Sequence, residues 1–300
     1  MYEKFRYLLA LQREKHFGRA ALACGVSQPN LSAAIKQLEG QLGVTLVSRG
    51  ARFMGFTPEG ERVLDWARRI IGDYQALEAD VENMRKGGEE GDLQISAVPT
   101  ALPVLSRLTD AFWRRHPHAR LVVSSDSSAD VLAKLEDMRA QIGITYLGTE
   151  SLGRNAELPL YRERYCLLAS ADSPLATRAT VTWEEVAAQP LCLPAADTQN
   201  RRILERIFHD AGVSVRPQME TNAVTSLASF LRTSHLATVM PRIMIREMPA
   251  QGNLVTIPIV APEVDTLIGL IHPRRDPQPP LAASFIAEAR ALAPELAALA

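Results

Sequence analysis

Gln28, Asn30, Ser32 and Lys36 are the residues whose types and spacing best define a chemistry. At helical intervals they make one face of short hydrogen-bonding side chains with a single cation, shared with Ala33. Amides, hydroxyls and an ammonium are the groups that read base edges and phosphates when a helix lies in the major groove of duplex DNA. Catalytic spacings are missing. The chain has no phosphate-binding Gly-x-x-x-x-Gly-Lys loop, no Gly-x-Gly-x-x-Gly after a strand, no Gly-x-Ser-x-Gly and no His-Glu-x-x-His. Its 6 histidines are dispersed, and Cys24, Cys166 and Cys192 have neither zinc nor redox-motif spacing. No enzyme activity, metal or cofactor is expected, and the thiols read as buried and inert in a reduced, cytoplasmic chain.

The elements that must carry that face follow from the flanking residues. Arg19 to Leu42 reads as a short helix, a tight turn and a second helix. Ala20, Ala21 and Ala23 are small enough for two helices to cross closely, and Gly25 permits a positive backbone angle at the turn. Ser27 is the expected N-cap and Pro29 falls in the first turn, where a missing N–H is harmless. Leu31, Ile35, Leu38 and Leu42 form the buried stripe, and Gly43 ends the helix. Before this pair, Phe5 to Glu14 predicts a helix with Phe5, Leu8, Leu9 and Leu11 inward, followed by His16 as a capping or surface residue. After it, Val44 to Phe56 predicts a small β-wing anchored by Leu46 and Phe56, with Arg49 and Arg52 as its cations. Thr57-Pro58-Glu59 then starts a long helix, with Thr as N-cap and acids in the first turn. Leu64, Ala67, Ile71, Tyr74, Leu77, Val81 and Met84 follow near-heptad spacing along it, more in the manner of a dimer seam than a monomer core.

This stretch resembles the N-terminal domain of the LysR-type transcriptional regulators. The matching pieces are Ala20-Ala21, Val26-Ser27-Gln28-Pro29, Leu31-Ser32, Ile35, Leu38-Glu39, Leu42-Gly43-Val44, Leu46, Arg49 and Thr57-Pro58-Glu59-Gly60. The match runs without a gap from Phe5 to Ala67 and more weakly beyond. It implies an α/β protein overall. A mainly α winged helix-turn-helix and a long linker helix would precede a two-lobed α/β domain like the periplasmic binding proteins. It implies DNA contacts by Ser27, Gln28, Pro29, Asn30, Ser32 and Lys36, with Arg49 and Arg52 on the backbone or in the minor groove. It also implies double-stranded promoter DNA as partner, antiparallel pairing of linker helices, a dimer of dimers (a homotetramer), and RNA polymerase as a further partner. The wing departs from the family pattern. Val47 stands where Phe is usual, and Gly50, Ala51, Phe53 and Gly55 leave it poor in basic residues. The domains expected are 1–58 (DNA binding), 59–87 (linker helix), 88–91 (hinge) and 92–300 (effector binding).

Composition agrees with this division. Of the 300 residues, 47% are hydrophobic and 22% charged, ordinary for a globular chain of about two domains. No apolar run reaches a membrane span, and the N-terminus has no signal-peptide core, so no membrane partner is expected. Residues 1–58 carry eight Lys/Arg against three Asp/Glu, a net +5 within a chain of net charge -1. Phosphate binding belongs in that segment.

From Asp92 strand-like and helix-like runs alternate, which predicts a mostly parallel sheet with crossover helices. By analogy with the family, 92–162 with 266–300 form one lobe and 163–265 the other. The crossings fall near Tyr161–Arg164 and Pro262–Thr266. Ligands in such sheets lie off the carboxyl ends of strands, near helix N-termini. That rule selects Thr100 and Ala101, Ser127 and Ser128, Tyr146, and Thr198, Gln199 and Asn200. Thr100 and Ser128 hold the positions that most often touch effectors in the family, against a plain reading of each as a helix cap. Hydroxyls and helix N–H groups suit a small anionic metabolite, a carboxylate such as formate. The family's Gly-x-Gly before Pro241 is replaced by Ser234-His235-Leu236, so His235 is a candidate for the cleft wall, and the cleft is expected to be small or closed. The rival functions are a thiol redox sensor of the same family, a solute-binding protein, and an enzyme on the same two-lobed fold.

Overall fold

The computed structural model describes residues 1–49, 53–85, 91–149, 151–223, 227–247 and 252–299. Arg52, residues 86–87 of the expected linker helix and residues 88–90 of the expected hinge lie outside the described residues, as do the side chains of Arg49 and Met84. The chain divides into two compact units near residue 88.

In the first unit, α1 (Tyr2–Glu14), α2 (Phe17–Ala23) and α3 (Gln28–Leu42) precede a hairpin of β1 (Val47–Arg49) and β2 (Phe53–Phe56). α4 (Pro58–Arg85) follows. Each start has its chemical reason. The His16 Nδ1 accepts from the amides of Gly18 at 3.1 Å and Arg19 at 3.3 Å, so this histidine caps α2. Ser27 Oγ accepts from Asn30 N at 3.3 Å at the head of α3. Gly25 and Gly43 hold φ of 69° and 70°, the left-handed turn after α2 and the end of α3. Thr57 Oγ1 accepts from Gly60 N at 2.9 Å and donates to Thr45 O at 2.7 Å, tying α4 to the wing. Leu31, Ile35 and Leu38 are buried with Leu8, Leu11, Ala20, Ala21, Leu46, Leu64 and Ala67. Two expected core residues are outside that core. Leu42, the last residue of α3, is 40% exposed, and Ala23 is exposed at the end of α2. Ala20 and Ala21 alone make the close crossing.

The second unit begins with β3 (Gly91–Ala97), a 3-10 turn at Pro99–Ala101 and α5 (Leu102–Arg115). β4 (Ala119–Ser125), α6 (Ser128–Glu136), β5 (Ile142–Tyr146) and the long β6 (Asn155–Ser170) follow. Next come β7 (Val181–Thr182), α7 (Trp183–Ala187), β8 (Cys192–Pro194), α8 (Gln199–Asp210), β9 (Met219–Thr221) and α9 (Leu227–Thr233). The chain closes with β10 (Thr238–Pro241), α10 (Arg242–Glu247), β11 (Leu254–Val260), β12 (Asp265–Pro273) and α11 (Pro280–Leu299).

The main sheet has the order β4-β3-β5-β12-β6-β11-β7, with β10 also on β6, and β8 and β9 pair separately. It is mixed rather than mostly parallel. β3 runs parallel to β4 and β5, but β12 is antiparallel to both β5 and β6, and β6 is antiparallel to β10 and β11. Alternating strand and helix patterns specify crossovers only where a helix intervenes. β12, from near the end of the chain, instead inserts between β5 and β6, which run in the same direction, and is antiparallel to both. β5 pairs with β12 over Ile268–Ile271, whereas β10 and β11 pair with β6 from Tyr165 onward. Between these, at Glu163↔Thr266 and Arg164↔Asp265, β6 and β12 pair with each other. Among the described strands, this ribbon joins the two halves of the sheet.

Candidate functional site

The first candidate surface is the outer face of α3. With Leu31, Ile35 and Leu38 turned into the core, helical geometry sends Ser27, Gln28, Pro29, Asn30 and Lys36 outward, and all five are exposed, with Ser32 half-buried between them. No large apolar group interrupts the face. Glu39, on the same helix, has a role that periodicity does not reveal. Its Oε1 accepts from the amides of Leu46 at 2.9 Å and Val47 at 3.1 Å, which fixes the wing relative to α3. Its signal in the sequence was only its place beside Leu38.

The second candidate is a cleft of about 320 Å³ in the second unit. Thr100, Ser127, Ser128 and Tyr146 line it from the β3, β4 and β5 half. Thr198, Gln199 and Asn200 line it from the start of α8. Seven of the nine residues selected from the sequence therefore meet at one cavity. Ala101 is fully buried behind the wall. His235 is exposed and away from the lining, with its Nε2 at 3.3 Å from Gln218 Oε1. The cavity is open, so the larger side chains at 234–236 do not fill it.

The hydroxyls are held in pairs. Thr100 Oγ1 and Tyr146 OH lie 3.0 Å apart, and Ser128 Oγ and Thr145 Oγ1 2.9 Å apart, with all four residues buried. Neither Thr100 nor Ser128 is a helix cap. Ser127 caps α6, accepting from Asp130 N at 3.1 Å, and Thr198 caps α8, accepting from Arg201 N at 3.2 Å. The Oδ1 of Asn200 is buried without a hydrogen-bond partner.

Charge in the lining is one-sided. Asp126, Asp130 and Asp197 contribute to it, and no Lys or Arg does among the described residues. Asp126 is neutralised locally. Burial would raise its pKa, but the Lys134 ammonium at 2.5 Å and the Ser124 and Ser96 hydroxyls together hold it below the ordinary value. The sequence rule ran through Asp126, on the stretch 124–128 that leads into α6, without giving it a role, and it missed Asp197, Thr221 and Asn222.

Glu163 is fully buried on β6. Neither carboxyl oxygen has a hydrogen-bond partner. Burial pushes its pKa up to about 8, against a smaller opposing pull from the Thr100 and Tyr161 hydroxyls. Tyr161 and Tyr165 flank it on the same strand face, while Arg162 and Arg164 point to the other side and are exposed.

The thiols sit apart from the cleft lining. Cys166 and Cys192 are buried in an apolar cluster with Leu168, Met240 and Met244. Burial raises Cys166 to about 11 and also raises Cys192 and Cys24. No helix among the described residues is long and apolar enough to cross a membrane.

Comparison with known proteins bears on both surfaces. Residues 2–61 match the family described as bacterial regulatory helix-turn-helix protein, lysR family, and residues 86–294 match the LysR substrate binding domain. The DNA-binding transcriptional dual regulator OxyR of Escherichia coli is 28% identical over 269 residues, 89% of this chain and 87% of that protein. A probable nitrogen assimilation transcriptional activator of Synechococcus elongatus is 26% identical, covering 90% of this chain and 88% of that protein. Full-length OxyR from Pseudomonas aeruginosa shares the fold with a TM-score of 0.66 at 22% identity, over 95% of this chain and 94% of that one. CbnR in complex with its target DNA does so with a TM-score of 0.61 at 19% identity, over 97% and 99%.

Proposed function

The chain belongs to the LysR family of transcriptional regulators, DNA-binding proteins that respond to effectors, and from that premise we propose which of its residues do each task. Gln28, Asn30, Ser32 and Lys36 read the major groove, with Ser27 and Pro29 setting the entry of the helix. Arg49 and Arg52 contact backbone or minor groove. Thr100, Ser127, Ser128, Tyr146, Thr198, Gln199 and Asn200 hold a small effector; Ala101 and His235 act only indirectly. The domain division is 1–58, 59–87, 88–91 and 92–300, with lobes 92–162 plus 266–300 and 163–265. The regulator works in the cytoplasm as a dimer of dimers on promoter DNA, by binding rather than catalysis, with RNA polymerase as a further partner.

The observation that carries this reading is the α3 face, polar and exposed over one side and wholly apolar on the other. Selection of duplexes from a random pool by the full chain tests it. The wild type should enrich a sequence with two related half-sites, as a pair of reading helices requires. Gln28→Ala should bind the pool with similar total affinity yet lose the enrichment, since base contacts specify and phosphate contacts only position. Unchanged enrichment would remove Gln28 from the reading face.

A thiol-based alternative stands second. Several relatives are named hydrogen peroxide-inducible genes activators, which favours it. The thiols here speak against it, because burial keeps all three toward the protonated, unreactive form.

A further inference from the structure

The start of α8 carries an amide whose two ends have different surroundings. Gln199 is only 7% exposed, yet it lines the cavity. Its Oε1 accepts from Arg202 Nε at 2.8 Å. The same guanidinium reaches back over the helix start, where its Nη1 donates to Asp197 O at 3.3 Å. A guanidinium only donates, so the carbonyl end of the Gln199 amide has to be the end that faces it. Turned over, the amide would set N–H against N–H. The Nε2 end is therefore directed away from Arg202, and its two hydrogens have no acceptor among the described residues. Polar groups on side chains this buried are ordinarily paired, and an unpaired one costs stability. The next residue repeats the pattern in reverse. Asn200 lines the same cavity, and its Oδ1 is buried without a donor. One unused donor and one unused acceptor thus sit on consecutive residues of one wall.

We propose that the cleft selects an uncharged primary carboxamide, with Gln199 as its specificity-determining contact and Arg202 as the positioning residue that fixes which end of the Gln199 amide meets the ligand. This rests on the reading of the cleft as the effector site. The ligand carbonyl accepts from Gln199 Nε2. The ligand N–H donates to Asn200 Oδ1, whose terminal torsion is broad enough to follow it. A carboxylate fills the first role and not the second, because an ionised acid has no hydrogen to give. An ammonium group fills the second and not the first.

Charge points the same way. Asp126 is paired with Lys134, but Asp130 and Asp197 bring further carboxylates to the lining, which holds no Lys or Arg among the described residues. The two arginines that follow Asn200 are committed elsewhere. Arg201 is buried against Glu205 and Glu220, at 3.0 Å from each, and Arg202 is spent on Gln199 and the Asp197 carbonyl. An anion in the cleft would meet carboxylates with no cation to offset them, whereas a neutral amide meets no such penalty. The hydroxyls of the other half are already bonded in pairs, Thr100 with Tyr146 and Ser128 with Thr145. The Gln199 amide keeps both of its hydrogens to give.

The test measures matched pairs on the full chain at neutral pH: formamide against formate, acetamide against acetate, and benzamide against benzoate. Each pair keeps the skeleton and changes only the polar end. Calorimetry and ligand-observed NMR should show the amides binding at least about tenfold more tightly than their acids, the discrimination expected when a buried polar partner is left unpaired. Gln199→Glu keeps the volume and still accepts from Arg202, but it puts an acceptor where the unused N–H groups stood. Its unliganded melting temperature should match wild type, while amide affinity falls at least about tenfold. A merely structural role for Gln199 would leave that affinity unchanged. Arg202→Leu, which lets the amide turn over, should weaken the amides severalfold, and Arg202→Lys, which restores a donor toward Oε1, should recover part of the loss. Acids bound as tightly as their amides, or amide affinity untouched by Gln199→Glu, would overturn the carboxamide assignment while leaving the cleft as a ligand site. No binding of any probe would overturn the effector reading and this proposal with it.

Discussion

At the scale of the residue, burial assigns the roles. Gln28 and Lys36 are legible as an exposed polar face because their neighbours Leu31 and Ile35 are apolar at the complementary helical positions. Glu163 is a different case, defined by what the fold withholds from it. Its ordinary carboxylate pKa near 4.5 is raised to about 8 by burial. Between those values the folded chain holds a proton that the unfolded chain releases, so stability falls as pH rises through the window and levels off above it. Glu163→Gln keeps the shape without the titration. Its stability relative to wild type should rise by up to about 1.4 kcal/mol per pH unit between pH 5 and pH 8 and then stay constant. Denaturant unfolding across that range measures it, and parallel pH profiles for the two proteins would show that Glu163 does not titrate there.

At the scale of the element, the start of α4 shows how a short motif specifies packing. Thr57-Pro58-Glu59-Gly60 combines a cap, a residue that needs no donor, an acid at the positive helix end, and a glycine. The glycine answers a close approach. A Cβ at Gly60 would stand 2.1 Å from the Leu46 carbonyl oxygen, a backbone atom that cannot swing away. Gly60→Ala should therefore shift α4 from the wing and destabilise the first unit by about 1–3 kcal/mol. Hydrogen exchange of the wing and the first turns of α4 is the appropriate readout, because a chain of two units does not unfold in one step. Unaltered protection there would mean that the helix start can slide without loss. The wing's own chemistry is less legible, since its strands are short and its expected cations fall at Arg49 and Arg52.

At the scale of the whole molecule, α4 decides the assembly. Leu64, Ala67 and Ile71 are buried within the first unit, but the same stripe continues through Tyr74, Leu77 and Val81, which are exposed, with Leu77 at 58% and the neighbouring Trp66 at 59%. An apolar stripe that outruns its own core calls for a second copy. Leu77→Asp should leave each chain folded and weaken self-association at least about thirtyfold, roughly 2 kcal/mol. Sedimentation over a concentration series measures it, and an unchanged dimer would place the seam elsewhere. Both half-sites in the selected DNA should then lose their coupling together, because one reading helix alone makes few contacts.

The sequence by itself determined the helix-turn-helix, the exposed polar face of α3, the caps at Ser27 and Thr57 and the length of α4. These rest on local spacing, and a 3.6-residue period or a capping side chain is written within a few neighbouring positions. It also brought most of the cleft residues to notice, since strand ends followed by helix starts are local signals too. Tertiary structure alone decided that Ser128 bonds Thr145, that His235 turns toward Gln218, and that the sheet is mixed. It alone buried Glu163 on β6 without a hydrogen-bond partner for either oxygen. Those facts depend on which segments lie side by side, and contacts between separate elements leave no period in the chain to read.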